Sequence, residues 1–184
     1  FVMSTFSIDP TRYEGRPAEP RTPAEEAAYD LLDRASVPFI RYDHTPTATM
    51  EDCEAVEKYL NTPICKNLFL CNRQKTRFFL LIMPGDKPFH TKDLTAQINC
   101  SRLSFAPADR MEQLIGTTPG SASVLGLTFD TEHQVQLLID RDILKQEYFA
   151  CHPCLNHSSL QFSTRDLLDK ILPSLGAEPI YVTL

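Results

Sequence analysis

A chain of 184 residues with 42% apolar side chains can bury one sizeable core and is short for two. Its longest apolar stretches, such as Phe78 to Met83, are far too short to span a bilayer, and no charged-then-apolar leader is visible. Six cysteines in so long a chain do not form the dense framework of a small secreted scaffold, so a reduced, cytoplasmic setting without membrane contact is expected.

Residues 1–21, with three prolines and little apolar content, read as an extended N-terminal arm, and residues 22–184 as one domain. Thr22-Pro23 followed by Glu25 and Glu26 opens a first helix that runs to about Arg34. Residues 39–42 then form a short strand. Met50, Cys53, Val56 and Leu60 recur at helical spacing and predict a second helix over 50–60. The apolar runs 67–71 and 77–83, parted by the polar turn 72–76, make a hairpin. Helices follow at 91–98 and 107–115, with a short strand at 103–105 between them and Gly116 as a stop. Strands are expected at 123–129 and 135–139, and the segments around Cys151 and 158–162 flank a turn. A last helix over 164–172 is stopped by Pro173, and 180–184 closes as a strand. The order predicts an α/β (mixed α+β) domain: a mixed, largely antiparallel sheet flanked by helices.

The net charge of −6 argues at first against a polyanionic partner, but its distribution is uneven. Residues 1–65 carry six basic and twelve acidic side chains, and residues 111–184 four and nine. Residues 66–110 invert this, with eight cations against Asp86, Asp93 and Asp109. A basic segment in acidic surroundings fits either a nucleic-acid end or a solvated sheet-and-loop surface.

Three segments carry chemistry. The loop after Ile115 reads Gly116-Thr-Thr-Pro-Gly120-Ser121-Ala122-Ser123-Val124, where glycine lets a substrate approach main-chain N–H groups. It has neither the Gly-Lys-Ser/Thr of a phosphate loop nor the G-x-G-x-x-G of a dinucleotide site. Lys66, with Asn67 beside it, opens an apolar strand, where a lysine either snorkels to solvent or meets an anion. His152-Pro153 and Asn156 sit at a strand-to-turn corner. Cys151-His-Pro-Cys154 has the spacing of a zinc or redox pair, but a closed zinc site needs about four ligands and no second pair exists at matching spacing. Buried reduced thiols are therefore expected, with no metal and no cofactor.

From about Thr22 to Leu184 these segments, in this order, resemble the YbaK/ProX family of aminoacyl-tRNA deacylases, the prolyl-tRNA synthetase-associated domains. The likeness is greatest to the freestanding branch that edits alanine mischarged on proline tRNA. Lys66-Asn67-Leu-Phe-Leu70 matches the family's lysine segment, Thr118-Pro-Gly-Ser121 the branch's active-site loop, and Leu138-Ile-Asp-Arg141 with His152-Pro-x-x-Asn156 its C-terminal half. One departure is Val124, where the family's G-x-x-x-P element has proline.

The resemblance implies a sheet curled around a small pocket. It also implies hydrolysis of a mischarged tRNA(Pro), most simply Ala-tRNA(Pro), whose acceptor 3′ end enters the site. Lys66 would hold the terminal phosphate or ribose, Asn67 would orient it, and N–H groups of Gly120, Ser121, Ala122 and Ser123 would stabilise the oxyanion while water attacks. His152 would shape the pocket or touch substrate. His44, Thr45, Thr49, Met50 and Ile64 are candidate walls, with Asn156 near the substrate. Prolyl-tRNA synthetase is a candidate partner, and the resemblance leaves a homodimer open. A non-catalytic tRNA-binding module of the same fold and a thiol or metal protein built on Cys151 and Cys154 are the alternatives.

Overall fold

In a computed structural model that describes residues 5–184, the expected cap of the first helix does form. Residues 1–4 of the expected arm lie outside the described residues. Helix α1 (Pro23–Arg34) is opened by a capping box in which the Thr22 hydroxyl accepts from the Glu25 N–H and the Glu25 carboxylate returns to Thr22. Helix α2 (Met50–Leu60) repeats the device with Thr49 and Asp52, and leaves through Asn61 in the left-handed conformation.

The strands are β1 (Tyr13–Glu14), β2 (Ile40–Asp43), β3 (Lys66–Cys71), β4 (Phe78–Met83), β5 (Ser104–Phe105), β6 (Val135–Asp140), β7 (Tyr148–Cys151), β8 (Ser158–Ser163) and β9 (Ile180–Val182). They divide into two sheets. The first, β1-β2-β8-β7, is antiparallel throughout, while the second, β5-β3-β4-β6-β9, changes from antiparallel to parallel at β4. Among the described residues a parallel bridge from Ile64 to Ala150 links the two sheets, and the pairing is mixed and largely antiparallel as expected. Within residues 5–21, Tyr13 and Glu14 pair with β2, and Ile8 bridges His44.

Successive residues of β3 face opposite sides of its sheet. Phe69 and Cys71 join the main core between the sheets and helix α1, whereas Leu70, with Leu68 beside it, packs against the layer formed by helix α3 (Thr91–Thr95) and the turns after it. Helix α3 is shorter than expected: it ends at Thr95, and residues 96–99 continue as turns that close at Asn99 with φ 51°. Helix α4 (Ala108–Ile115) buries Met111, Leu114 and Ile115 and ends at Gly116 with φ 64°.

Two expectations are corrected. Residues 123–129 are not a strand: Val124–Phe129 wind as a 3-10 helix, capped by the Ser123 hydroxyl accepting from the Leu125 N–H. A short apolar run carries no periodicity that separates a buried strand from a buried helix. Gly126 fixes the outcome, since a Cβ there would lie 2.3 Å from the Ile115 carbonyl oxygen. Gly126→Ala is therefore expected to destabilise the fold by about 1–3 kcal/mol, read as a lowered urea midpoint with unchanged slope.

The last helix also does not stop at Pro173. It runs from α5 (Thr164–Asp166) through a π-helical stretch, Leu167–Ile171, into α6 (Leu172–Leu175) and ends at Gly176. The Leu172 N–H reaches back to the Leu167 carbonyl, and in this widened turn the missing N–H of Pro173 interrupts no regular ladder.

Candidate functional site

The loop between α4 and the 3-10 helix is pinned to the turn between β7 and β8. The Ser121 N–H closes a turn onto the Thr118 carbonyl at 3.0 Å, and the Ser121 hydroxyl accepts the Asn156 N–H at 3.1 Å. Gly120 stands at φ 91°, where L side chains are strained, and a Cβ there would lie 3.8 Å from Asn156 Nδ2. Gly120, Ser121 and Asn156 are thus brought together. The Ser121 N–H is already used in the turn, which removes it from the expected set of oxyanion donors. The N–H groups of Gly120 and Ala122 have no acceptor among the described residues. Ser123 is fully buried, and its hydroxyl serves as a cap.

His152 is 9% exposed and sits on the far side of the same turn. Its Nδ1 lies 2.8 Å from the Ser158 carbonyl oxygen, and His44 Nδ1 lies 2.8 Å from that of Thr45. A carbonyl can only accept, so each Nδ1 carries the proton and each neutral Nε2 presents a lone pair. Ser159 links the rings: its hydroxyl donates to His44 Nε2 at 2.8 Å and lies 3.3 Å from His152 Nδ1. His152 Nε2 has no hydrogen-bond partner among the described residues. Burial pushes the His152 pKa down to about 4 and outweighs the hydrogen bond to Ser158; burial lowers that of His44 as well. Both rings are neutral at pH 7.

Behind the turn, Asp43 accepts from the Ser158 hydroxyl at 2.7 Å, from Arg21 at 3.1 Å and from Arg41. Burial would raise the Asp43 pKa, but these three hydrogen bonds outweigh it and hold the carboxyl below its ordinary value. No local pattern marks Asp43, Ser158 or Ser159. They meet only through the β2–β8 register, which sets Asp43 opposite Ser158 and Tyr42 opposite Ser159.

Alternation along β3 separates Lys66 from Asn67. Asn67 falls on the side of Phe69 and Cys71; its Nδ2 donates to the Cys65 carbonyl at 3.3 Å, and its Oδ1 is buried without a partner among the described residues. Lys66 falls on the side of Leu68 and Leu70, and its ammonium donates to the Lys87 carbonyl. The turn that supplies this carbonyl presses on the strand entry, since a Cβ on Gly85 would lie 2.5 Å from the Ile64 oxygen. Lys87 is itself fixed by Asp140 at 2.6 Å and Asp142 at 2.7 Å. In the sequence Gly85 marks only the end of a strand and Lys87 only one of eight cations, because their part at the site depends on this tertiary approach.

The candidate wall residues scatter in role. Thr49 is spent as a helix cap, Met50 beside it is 75% exposed, and Thr45 bonds Ser7 through its N–H, which donates to the Ser7 carbonyl, and its hydroxyl. The Ile64 N–H donates to Glu57 at 2.9 Å. Two surface hollows lie elsewhere, one between Arg77, His133 and Gly176 and the other between Arg12, Pro38 and Gln161.

Cys151 and Cys154 are buried and unpaired, and burial pushes both thiols up, Cys154 to about 12. That is the reverse of a redox thiol, which works by a lowered pKa. No cluster of three or more His, Cys, Asp or Glu suited to a metal occurs among the described residues. In a native thiol titration at pH 8 these two cysteines are expected to stay silent until denaturant is added. No helix among the described residues is long and apolar enough to cross a membrane.

Comparison with known proteins places these segments in context. The family model described as "Aminoacyl-tRNA editing domain" matches residues 44–170. The chain is 28% identical over 153 residues to the "Prolyl-tRNA editing protein ProX" of Acetoanaerobium sticklandii, covering 83% of this chain and 93% of that protein. It is 26% identical over 141 residues to "Prolyl-tRNA synthetase associated domain-containing protein 1" of Danio rerio, covering 76% of each. Among solved structures it superposes on hypothetical protein APE2540 with TM-score 0.65 at 18% identity, covering 85% and 98% of the two chains. A second neighbour, a candidate trans-editing enzyme for prolyl tRNA synthetase, gives TM-score 0.64 at 11% identity over 90% and 99%.

Proposed function

This chain belongs to the aminoacyl-tRNA editing domain family, and from that premise we propose that it is a freestanding deacylase that hydrolyses mischarged tRNA(Pro), with Ala-tRNA(Pro) as its substrate. One observation carries the reading: the family match over residues 44–170 spans Lys66-Asn67, the Gly120 loop and the His152–Asn156 turn together. The ProX relative supplies the proline tRNA.

In this reading the 3′ end lies across the start of β3. Lys66 leaves the Lys87 carbonyl for a phosphate or ribose oxygen of the substrate, a charge-assisted bond stronger than the one it gives up. The ester carbonyl faces the Gly120 loop, and the Gly120 and Ala122 N–H groups receive the negative charge as water adds to the carbonyl carbon. The tetrahedral intermediate then breaks its bond to the ribose oxygen, which takes a proton, and releases the free amino acid. A neutral His152 whose pKa lies near 4 is a weak base at pH 7; its Nε2 lone pair orients water or substrate instead. Ser159 and Ser158 hold the ring in that tautomer.

Asn67 braces the strand entry through the Cys65 carbonyl, and Asn156 borders the loop. Of the candidate walls, His44 and Ile64 are proposed to border the amino-acid side chain, since Thr45 and Thr49 are spent on Ser7 and a helix cap and Met50 is exposed. A methyl-scale difference discriminates by only about 1–3 kcal/mol, so proline must be refused by a clash. The synthetase is the partner that would hand over its mischarged product.

The test is deacylation of tRNA(Pro) charged separately with alanine, serine, cysteine and proline. Release of alanine alone is expected. Release of another amino acid keeps the hydrolase and changes its substrate, and release of none, with tRNA still bound, leaves a binding module.

A further inference from the structure

Between Lys66 and Arg110 stand eight cations, of which, among the described residues, only Lys87 has a carboxylate within 4.0 Å. Of the ten cations elsewhere, six are so paired: Arg16, Arg21, Arg41, Lys145, Arg165 and Lys170. The basic segment is thus basic and also uncompensated, in a chain whose net charge is −6.

The fold gathers part of this charge at one sheet edge. Strand β5 is the outermost strand beside β3, with Leu70 opposite Phe105 and Cys71 opposite Ser104. Arg102 precedes β5 by two residues and Arg73 follows β3 by two, so both leave the Cys71–Ser104 pair at the same end of the sheet, where the β3–β4 turn also carries Lys75. All three are exposed.

Phe105 completes the pattern. It is 65% exposed, although an aromatic ring on an edge strand is a liability that proteins usually avoid. The Phe89 ring supports it edge-on at 6.4 Å. Because paired residues share a face, Phe105 lies on the Leu70 side of the sheet and alternation puts Lys66 there too, the two standing on either flank of the α3 layer that covers Leu68 and Leu70. At about 3.3 Å per residue, Phe105 stands roughly 13 Å along β3 from Lys66, and the Arg73 turn roughly 23 Å. An exposed aromatic face between cations is how proteins hold unpaired nucleotides.

We propose that this edge is a landing site for the RNA: with the 3′ end held at Lys66, a neighbouring base stacks on Phe105 and phosphates of the adjoining stem meet Arg73, Lys75 and Arg102, the strand passing over the α3 layer that covers Leu68 and Leu70. The landing site rests on the deacylase reading for its substrate and adds the direction in which that substrate lies. It predicts that the protein holds more RNA than the terminal nucleotide and that sequence-tolerant stacking fixes the approach.

The experiment uses the full chain and an RNA minihelix ending in an unpaired 3′ CCA. Phe105→Ala is expected to weaken binding roughly five- to a hundredfold, with Phe105→Leu nearly as damaging because bulk without a π face does not stack. Arg73→Glu/Arg102→Glu is expected to lower the slope of log affinity against log salt by about 2 units. With alanyl-minihelix as substrate, the Phe105 variants raise KM and leave kcat in place. Alanyl-adenosine, too short to reach Phe105, is the control.

Unchanged minihelix binding in both Phe105 variants overturns the landing site, as does an equal loss on alanyl-adenosine, which would mean general damage. Failure of the function is a separate result: a wild-type protein that binds the minihelix through Phe105 but releases no amino acid from any charged tRNA(Pro) refutes the deacylase and leaves the landing site standing.

Discussion

Lys66→Ala is expected to reduce kcat/KM for alanyl-tRNA(Pro) by about 10²–10³, because truncating one partner of a desolvated charge pair typically costs about 2–5 kcal/mol. The free protein tolerates the change. The lysine's hydrogen bond in the fold is to a main-chain carbonyl, that of Lys87, and the turn bearing it is held independently by Asp140 and Asp142. Urea unfolding should therefore move little while activity collapses. Lys66→Arg is not expected to rescue fully, since the planar guanidinium cannot present the compact point charge of an ammonium at the same place. Retention of wild-type rates by Lys66→Ala would remove the residue from the site.

Acid provides the second large effect. His152 holds a folded-state pKa of about 4 because burial penalises the imidazolium, whereas an unfolded histidine titrates near 6.5. Between those values the unfolded chain takes up a proton that the folded one refuses, so the stabilisation is full above pH 6.5 and is lost as pH falls toward 4. A gap of that size corresponds to about 3 kcal/mol. His44, lowered in the same direction, adds to the loss. Urea midpoints at pH 7 and pH 4.5 measure it, and His152→Asn should remove most of the difference while keeping a donor for the Ser158 carbonyl. Nitrogen NMR provides the independent reading: His152 should remain the neutral tautomer protonated at Nδ1 down to pH 5, and titration above pH 6 would refute the assignment.

Helix α1 was legible because its cap is local, Thr22 with Glu25 satisfying the first turn within four residues, and α2 because Met50, Cys53, Val56 and Leu60 recur at helical spacing. The β3–β4 hairpin was legible for the same reason, two apolar runs around one polar turn. The 3-10 helix at Val124–Phe129 was not, since its shape depends on Gly126 meeting the Ile115 carbonyl. Pro173 misled as a helix stop because a π-helical widening upstream absorbed it. Within the candidate site, Lys66, Gly120, His152 and Asn156 were marked by the order of three motifs, whereas Met50 at 75% exposure and Thr49 in its capping box were positioned by sequence neighbourhood alone.

The sequence by itself determined the membership of the family, the mixed α+β class and the residues that carry its motifs, because motif order and local capping are properties of neighbours along the chain. Only the tertiary structure decided which groups are chemically available. Strand alternation turned Lys66 and Asn67 to opposite faces, and a turn consumed the Ser121 N–H. The β2–β8 register brought Asp43 and Ser159 behind His152, and burial kept that histidine neutral. Register and burial are set by pairing across 115 residues of chain, as between Asp43 and Ser158, and no local pattern encodes such a distance.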